Sequence, residues 1–422
     1  MSEGMPQPNK RKFDKELEFN ADRWERQAEN RGIFSKEKTA DDFMRAEAKR
    51  DDIDFEKKYI KESAKEYEVW EAHAQPVREA FLLQAESPED VDFVTVNIFM
   101  QGGMRAAGIA GAALGQDMAG ATSKTVNYAV GISSGATVAA RFVGGREELL
   151  RGTAMLTGPL AKKEFISPRL GNTINLPYLK DLEENGEYAI DQQKVKDAHC
   201  KLWTIVTEPM KGAEGPRVRI IDSKTVEEGM TTATVSSMSI PQVTGKIPTL
   251  GGETFYDGGF AALPIKEIIE KVRSENPNKK VKVLIYTQAS FDGMEDIKPA
   301  SAETLGAKIM HGIATPLKGL GSLDPDTVRQ LAKGLVLKEN LRKSLEAIEK
   351  ETDADIGVMW APPTNLGMTS IDPDELKMAV NESARNAIKL FGAEQPEELP
   401  EYVPQRDQLK KAIEEYKQAK AA

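Results

Sequence analysis

Cysteine is almost missing from this 422-residue chain: Cys200 is the only one, so no intrachain disulfide can form, a composition that suits a reducing cytoplasm. Histidine is nearly as scarce. With only His73, His199 and His311, no Cys/His cluster is available to build a zinc site. Positive charge is not in excess either. The formal net charge is −10, which argues against a nucleic-acid binder held by a general positive field. No apolar run approaches the ~18 residues that a spanning helix needs, and the start of the chain, Met1 to Lys10, is polar, without the apolar stretch of a signal peptide. The expectation is a cytoplasmic protein, soluble or at most peripheral to a membrane, with no nucleic-acid partner and an oligomeric state left open.

What the sequence does contain changes in character along its length. Residues 9 to about 85 are dense in Lys, Arg, Glu and Asp, with aromatics set at helical spacing: Phe13, Leu17 and Trp24, then Phe55, Tyr59, Tyr67 and Trp70. Thr39 with Asp42 resembles a capping box. Two or three amphipathic helices are expected here, packed by an aromatic stripe on the main domain or offered to a partner. Near Ser87-Pro88 the texture shifts. Val94–Met100 predicts a strand that ends in Gln101-Gly102-Gly103-Met104-Arg105, and Ala106 to Met118, rich in Ala and Gly, predicts a helix. A strand over Val126–Val130 follows, then Gly131-Ile132-Ser133-Ser134-Gly135 and a second small-residue helix. This alternation predicts an α/β fold with a mostly parallel sheet covered on both faces. Further strands are predicted at Leu202–Thr207, Arg217–Ile221, Lys280–Thr287 and Ile356–Trp360. Asp324-Pro325 and Asp372-Pro373 each place a capping carboxylate before a first-turn proline. Leu409, Ile413 and Tyr416 predict a short helix in the tail. The expected division is a helical N-terminal extension over 1–86, a main α/β domain over 87–395 and a helical tail over 396–422.

Three segments carry chemistry. Gly131-Ile132-Ser133-Ser134-Gly135 lies between strand and helix, the context of a nucleophile elbow, where a sharp turn presents a serine hydroxyl at the sheet edge. That hydroxyl is a poor nucleophile until a neighbouring base takes its proton. The glycine turn at Gly102, Gly103 and Met104 exposes backbone N–H groups suited to an oxyanion, although such a turn also serves as bare topology or as a phosphate site. The third is Tyr256-Asp257-Gly258-Gly259, by itself a turn signal, which follows the run Ser236-Ser237-Met238-Ser239-Ile240-Pro241.

Together these segments resemble the patatin-like phospholipases. That family is marked by a Gly-Gly-Gly-x-Arg/Lys loop, a Gly-x-Ser-x-Gly elbow some thirty residues later and a distant Asp-Gly-Gly/Ala. The likeness extends to Gly144-Gly145-Arg146, to Phe165–Ser167 with Gly171–Leu179, and to Ser236–Pro241, and it spans roughly residues 92 to 393. The chain departs from the pattern at Gln101, where a first oxyanion glycine is usual, and at Ala106, which replaces a common glycine. The resemblance implies a three-layer α/β/α domain and a Ser–Asp dyad without histidine, metal or cofactor. On that reading Ser133 is the nucleophile and Asp257 the base. Gly102, Gly103 and Met104 are the oxyanion donors, Arg105 supports the loop or meets a phosphate, and the substrate is a phospholipid or other acyl-ester lipid.

Two other readings stay open at this stage. An α/β-hydrolase triad could take Ser133, Asp257 and His311 in that fold's chain order, although the surroundings of His311 show no strand end. A catalytically decayed relative could bind lipid or act as a scaffold through its charged arm. His73 and His199 fall outside the usual triad order.

Overall fold

A computed structural model of the chain describes residues 71–88, 90–100, 102–166, 174–208, 217–240, 244, 248–260, 264–287, 341–360 and 371–402. The expected helices before residue 71, the cap at Asp324 and the tail stripe from Leu409 lie outside the described residues, as do Gln101 and His311.

The fold is α/β, with a mostly parallel central sheet between helical layers. A helix over 71–86 (α1) is followed by strand β1 (Phe93–Phe99) and, after one 3-10 turn (Gly103–Arg105), by α2 (Ala106–Met118). Strand β2 (Tyr128–Ile132) leads into α3 (Ser134–Gly144) and α4 (Arg146–Thr157). Two short helices, α5 (Leu176–Glu184) and α6 (Gln192–Asp197), precede β3 (Lys201–Glu208) and β4 (Arg217–Asp222). Next come α7 (Met230–Ser237) and three two-residue strands, β5 (Thr249–Leu250), β6 (Glu253–Thr254) and β7 (Tyr256–Asp257). The described chain continues with α8 (Ile265–Glu275), β8 (Lys280–Thr287), α9 (Leu341–Thr352), β9 (Asp355–Trp360) and α10 (Pro373–Leu390).

Among the described residues, seven strands form one sheet in the order β4-β3-β2-β1-β8-β9, with β7 also paired to β3. All pairings among β3, β2, β1, β8 and β9 are parallel, whereas β4 and β7 run antiparallel to β3. The predicted strands appear in place, and β8 has the predicted bounds. Alternation along each strand assigns residues to two faces. On one, Val94, Val96 and Ile98 of β1 join Val130, Ile205, Val283 and Ile356 under Ile265, Ile268, Ile269 and Val272 of α8. On the other, Phe99, Leu284 and Tyr286 meet the small apolar side chains of α2 and α3, together with Ala379 and Ala387 of α10. Helix α2 is buried along nearly its whole length, which explains why its residues are mostly Ala and Gly rather than an amphipathic mixture. Asp372 caps α10 as its sequence position predicts, accepting from the Asp374 and Glu375 N–H groups at 2.9 and 3.3 Å.

The described end of the charged N-terminal segment, α1, packs onto this body. Ala74, Val77 and Phe81 of α1 form an i, i+3, i+7 stripe that is fully buried. Ala74 and Val77 lie so close to Gly357 of β9 that a Cβ there would meet them at 3.0 and 3.2 Å. Burying Val77 and Phe81 contributes about 1.5–3 kcal/mol each. A polar clamp adds to this: Gln84 donates to Asn127 at 2.8 Å and accepts from the Thr95 hydroxyl at 2.8 Å. The surrounding Glu71, Arg78, Glu79 and Glu86 mask this stripe in a composition profile. No helix among the described residues is long and apolar enough to cross a membrane.

Candidate active site

Strand β2 ends at Ile132 and α3 begins at Ser134, which leaves Ser133 alone to make the turn. It does so at φ 54° and ψ −129°, one of two non-glycine residues with positive φ among the described residues. Such backbone strain costs about 1–3 kcal/mol and persists only where the surroundings impose it. Two glycines supply the room. A Cβ on Gly131 would lie 2.2 Å from Ala136 Cα, and one on Gly135 would lie 2.1 Å from the Phe99 carbonyl oxygen. The elbow is tied from outside as well, since the Ser133 N–H donates to Ser237 Oγ at 2.8 Å. The hydroxyl of Ser133 therefore stands at the carboxyl end of β2 and at the positive end of α3.

Asp257 reaches this point along the same edge of β3 that β2 pairs with, because β4 occupies the other edge at Val206 and Thr207. Strand β7 pairs antiparallel with the end of β3, with Val206 opposite Asp257. The backbone of Asp257 is anchored at both ends: its N–H donates to the Ser239 carbonyl at 2.8 Å, and its carbonyl accepts from the Thr207 hydroxyl at 2.9 Å. Its carboxylate is 5 % exposed, and both oxygens are engaged. Oδ1 accepts the Gly259 N–H at 2.7 Å, while Oδ2 accepts the Ser133 hydroxyl at 2.6 Å. Gly258 lies against the Ile205 carbonyl and carries the turn back over β3. The predicted pair, separated by 124 positions in the chain, is thus in direct contact.

The glycine turn after β1 completes the corner. Gly103, Met104 and Arg105 form the 3-10 turn, with Gly103 at φ 57°, the Met104 side chain buried and Arg105 closing the turn ahead of α2. The Gly102 N–H donates to Ser134 Oγ at 3.1 Å, which straps the loop to the elbow. Of the three expected oxyanion donors, Gly102 is therefore committed to Ser134. Gly103 and Met104 open the turn, where the first N–H groups have no partner within the turn itself. Strand β1 is also where the chain's path across the sheet reverses, since β2, β3 and β4 lie to one side and β8 and β9 to the other. Crevices for ligands in open α/β sheets form at the carboxyl ends of strands at such a reversal.

The two described histidines lie elsewhere. His199 precedes β3 at the amino ends of the strands, 3.4 Å from Asn127, and His73 on α1 contacts Glu349 at 3.2 Å. Among the described residues no group of three or more His, Cys, Asp or Glu side chains could hold a metal ion.

Buried charge supports the helices behind the elbow. Arg141 of α3 donates to Glu148 at 2.9 Å and to the Tyr188 carbonyl at 2.5 Å. Burial pulls its guanidinium below the ordinary arginine range, opposed by Glu183 and Glu148. Glu183 of α5 is wholly buried and accepts from Thr234 of α7 at 3.4 Å. Desolvation holds its carboxyl above the usual range, with Arg141 opposing. Arg146, which opens α4 just after Gly144 and Gly145, is pinned to Asp117 at the end of α2 at 2.7 Å.

Three supporting residues carry no role that the sequence alone assigns. Ser134 and Ser237 stand inside motifs singled out there, and Thr207 ends a predicted strand. Their hydroxyls matter only because the fold brings Gly102, Ser133 and Asp257 to them. Neither a protein-family model nor a curated protein sequence matches this chain, so the fold and the geometry of this corner carry the functional reading.

Proposed function

We propose that this chain hydrolyses carboxylic ester bonds of lipids, as a phospholipase A- or lysophospholipase-like enzyme, through a Ser133–Asp257 dyad and an acyl-enzyme. The observation that carries the reading is the 2.6 Å contact between Ser133 Oγ and Asp257 Oδ2, with Ser133 held at a strained elbow. A structural serine gains nothing from such strain, whereas a nucleophile does.

In the first half-reaction Ser133 Oγ attacks the acyl carbonyl carbon as its proton passes to Asp257 Oδ2. The carbonyl π electrons move to oxygen, where N–H groups of Gly103 and Met104 stabilise the charge. Losing one donor of this kind typically costs ~10²–10³ in rate. The oxyanion collapses, the alkoxy leaving group departs with the proton from Asp257, and the acyl group stays on Ser133. Water then attacks the acyl-enzyme, giving its proton to Asp257. Collapse of the second oxyanion releases the acid and returns the proton to Ser133 Oγ. Arg105 supports the donor loop. The lipid substrate class follows from the resemblance of the loop, the elbow and the Asp-Gly-Gly segment, and the single cysteine supports a reducing, cytoplasmic setting with at most peripheral membrane contact.

A fluorophosphonate serine probe tests the chemistry, and a lipid panel read by mass spectrometry tests the substrate. The wild-type protein should label and release fatty acid. Ser133→Ala should do neither, while keeping its melting temperature. Labelling that persists in that variant, or that moves to Ser134, would sink the assignment.

A further inference from the structure

We propose that Ser237 is a positioning residue for the nucleophile, an inference that rests on the serine-hydrolase reading above. Its hydroxyl is completely buried at the end of α7. A hydroxyl offers one donor and two acceptor positions. This one donates to the Ile205 carbonyl of β3 at 2.5 Å and accepts the Ser133 N–H at 2.8 Å. It also borders the turn after Asp257, since a Cβ on Gly258 would lie 3.2 Å from it. One oxygen atom therefore bonds to two of the parts that set the Ser133–Asp257 separation and borders the third.

The strand order explains why such an atom is needed. Ser133 follows β2 and Asp257 ends β7, and these strands do not pair with each other; each pairs with β3. Ile132 is registered opposite Ile205, and Asp257 opposite Val206. Beyond Ile132 the chain leaves the sheet, so no strand hydrogen bond fixes Ser133 relative to β3. Ser237 replaces that missing bond, joining the Ser133 backbone to β3 one residue from the position that carries Asp257. It also consumes the Ser133 N–H. The developing oxyanion is thereby left to the glycine turn after β1, which separates the group that aligns the nucleophile from the groups that receive the charge.

The test compares Ser237→Ala with Ser236→Ala. Ser236 is an equally buried serine of the same helix, whose hydroxyl donates to Thr232 at 2.8 Å rather than to the elbow. With a soluble acyl ester, Ser237→Ala should lower kcat about 100-fold, the scale expected of a small misplacement of reacting groups, while KM stays within about threefold. The probe-labelling rate should fall in parallel. Ser236→Ala should retain kcat, and Ser237→Thr, which restores the hydroxyl, should recover most of the loss. A crystal structure of Ser237→Ala gives a readout independent of activity. The Ser133 Oγ to Asp257 Oδ2 distance should open beyond hydrogen-bond reach, about 3.5 Å or more. If it stays closed, or if both alanine variants lose kcat equally, the positioning role is refuted. If Ser237→Ala does not fold, Ser237→Cys and Ser237→Thr decide: equal rates in the two, despite the poor hydrogen bonding of a thiol, would overturn the proposal. Failure of the hydrolase reading itself shows separately, as a wild-type protein that neither labels nor turns over.

Discussion

Replacing Asp257 by asparagine separates the chemistry of the dyad from its packing. The wild-type carboxylate uses one oxygen for the Gly259 N–H at 2.7 Å and the other for the Ser133 hydroxyl at 2.6 Å. Asparagine has one acceptor and one donor end, so the Gly259 N–H selects its orientation. The amide oxygen must face Gly259, and the NH₂ group must face Ser133 Oγ. That arrangement keeps a hydrogen bond at each end and changes almost no volume, so stability should move by less than about 1 kcal/mol. The proton flow is reversed, however, because an NH₂ group cannot take a proton from serine. Loss of a positioned general base costs about 10²–10⁴ in rate, and single-turnover acylation by a chromogenic acyl ester should fall by at least that much. Calorimetry on the same preparation verifies that the fold is intact. His311→Ala, tested beside it, should keep most of the wild-type rate. Two results would refute the reasoning: Asp257→Asn retaining more than a tenth of the rate, or a folded His311→Ala losing as much as Asp257→Asn. The second would replace the dyad with a triad.

Two further substitutions test the frame around the dyad. Gly135→Ala places a methyl group 2.1 Å from the Phe99 carbonyl oxygen, a backbone atom inside the sheet that cannot rotate away. The loss should reach or exceed the about 1–3 kcal/mol usual for overpacking, seen as a clear drop in melting temperature, and an unchanged melting temperature would contradict the close approach of elbow and β1. For Glu183 the sign follows from its raised pKa: burial, its first cause, makes the folded state bind the proton more tightly than the unfolded one. The stability it contributes is complete below the unfolded carboxylate value of about 4.3 and is lost as pH rises through the folded pKa. Glu183→Gln should remove that loss, so the melting temperature of the variant should gain on wild type from acid to neutral pH; parallel profiles would sink the idea.

The parts of this molecule that sequence alone reveals are those in which local physics and tertiary structure agree. Runs dominated by apolar residues mark β1, β2, β3 and β8, without strict polar alternation, because both faces of a parallel sheet are buried. The elbow is legible because a strained turn between strand and helix needs glycine at both flanks. Other features depend on partners far along the chain and leave no local trace. Strand β7 is two residues long and exists only because β3 offers an edge at Val206 and Thr207. The antiparallel direction of β4 depends on pairing, not on its own alternation. Helix α1 looks like a charged surface segment until Gly357 gives Ala74 and Val77 a place to rest. The serines at 134 and 237 are two among many in the sequence. Only the fold identifies them as the acceptors of the Gly102 and Ser133 N–H groups.

The geometry of the corner also bears on how the proposed hydrolysis would proceed without histidine. In a triad, imidazole stands between serine and carboxylate, with a hydrogen bond on each side. At 2.6 Å, Ser133 Oγ and Asp257 Oδ2 leave no space for a ring. To admit one, β7 would have to move away from β3, breaking the pairing of Val206 with Asp257 and the bonds that Thr207 and Ser239 make to the Asp257 backbone. Those contacts are buried, and none of them involves a group that titrates. The position of the carboxylate is therefore set by the sheet, and the buried Ser237 hydroxyl holds Ser133 against it. A carboxylate held this rigidly needs no imidazole to orient it. On the proposed mechanism, what it lacks in basicity must come from contact distance and from charge stabilisation by the Gly103–Met104 turn, which places the catalytic demand on β7 and on the glycine turn after β1.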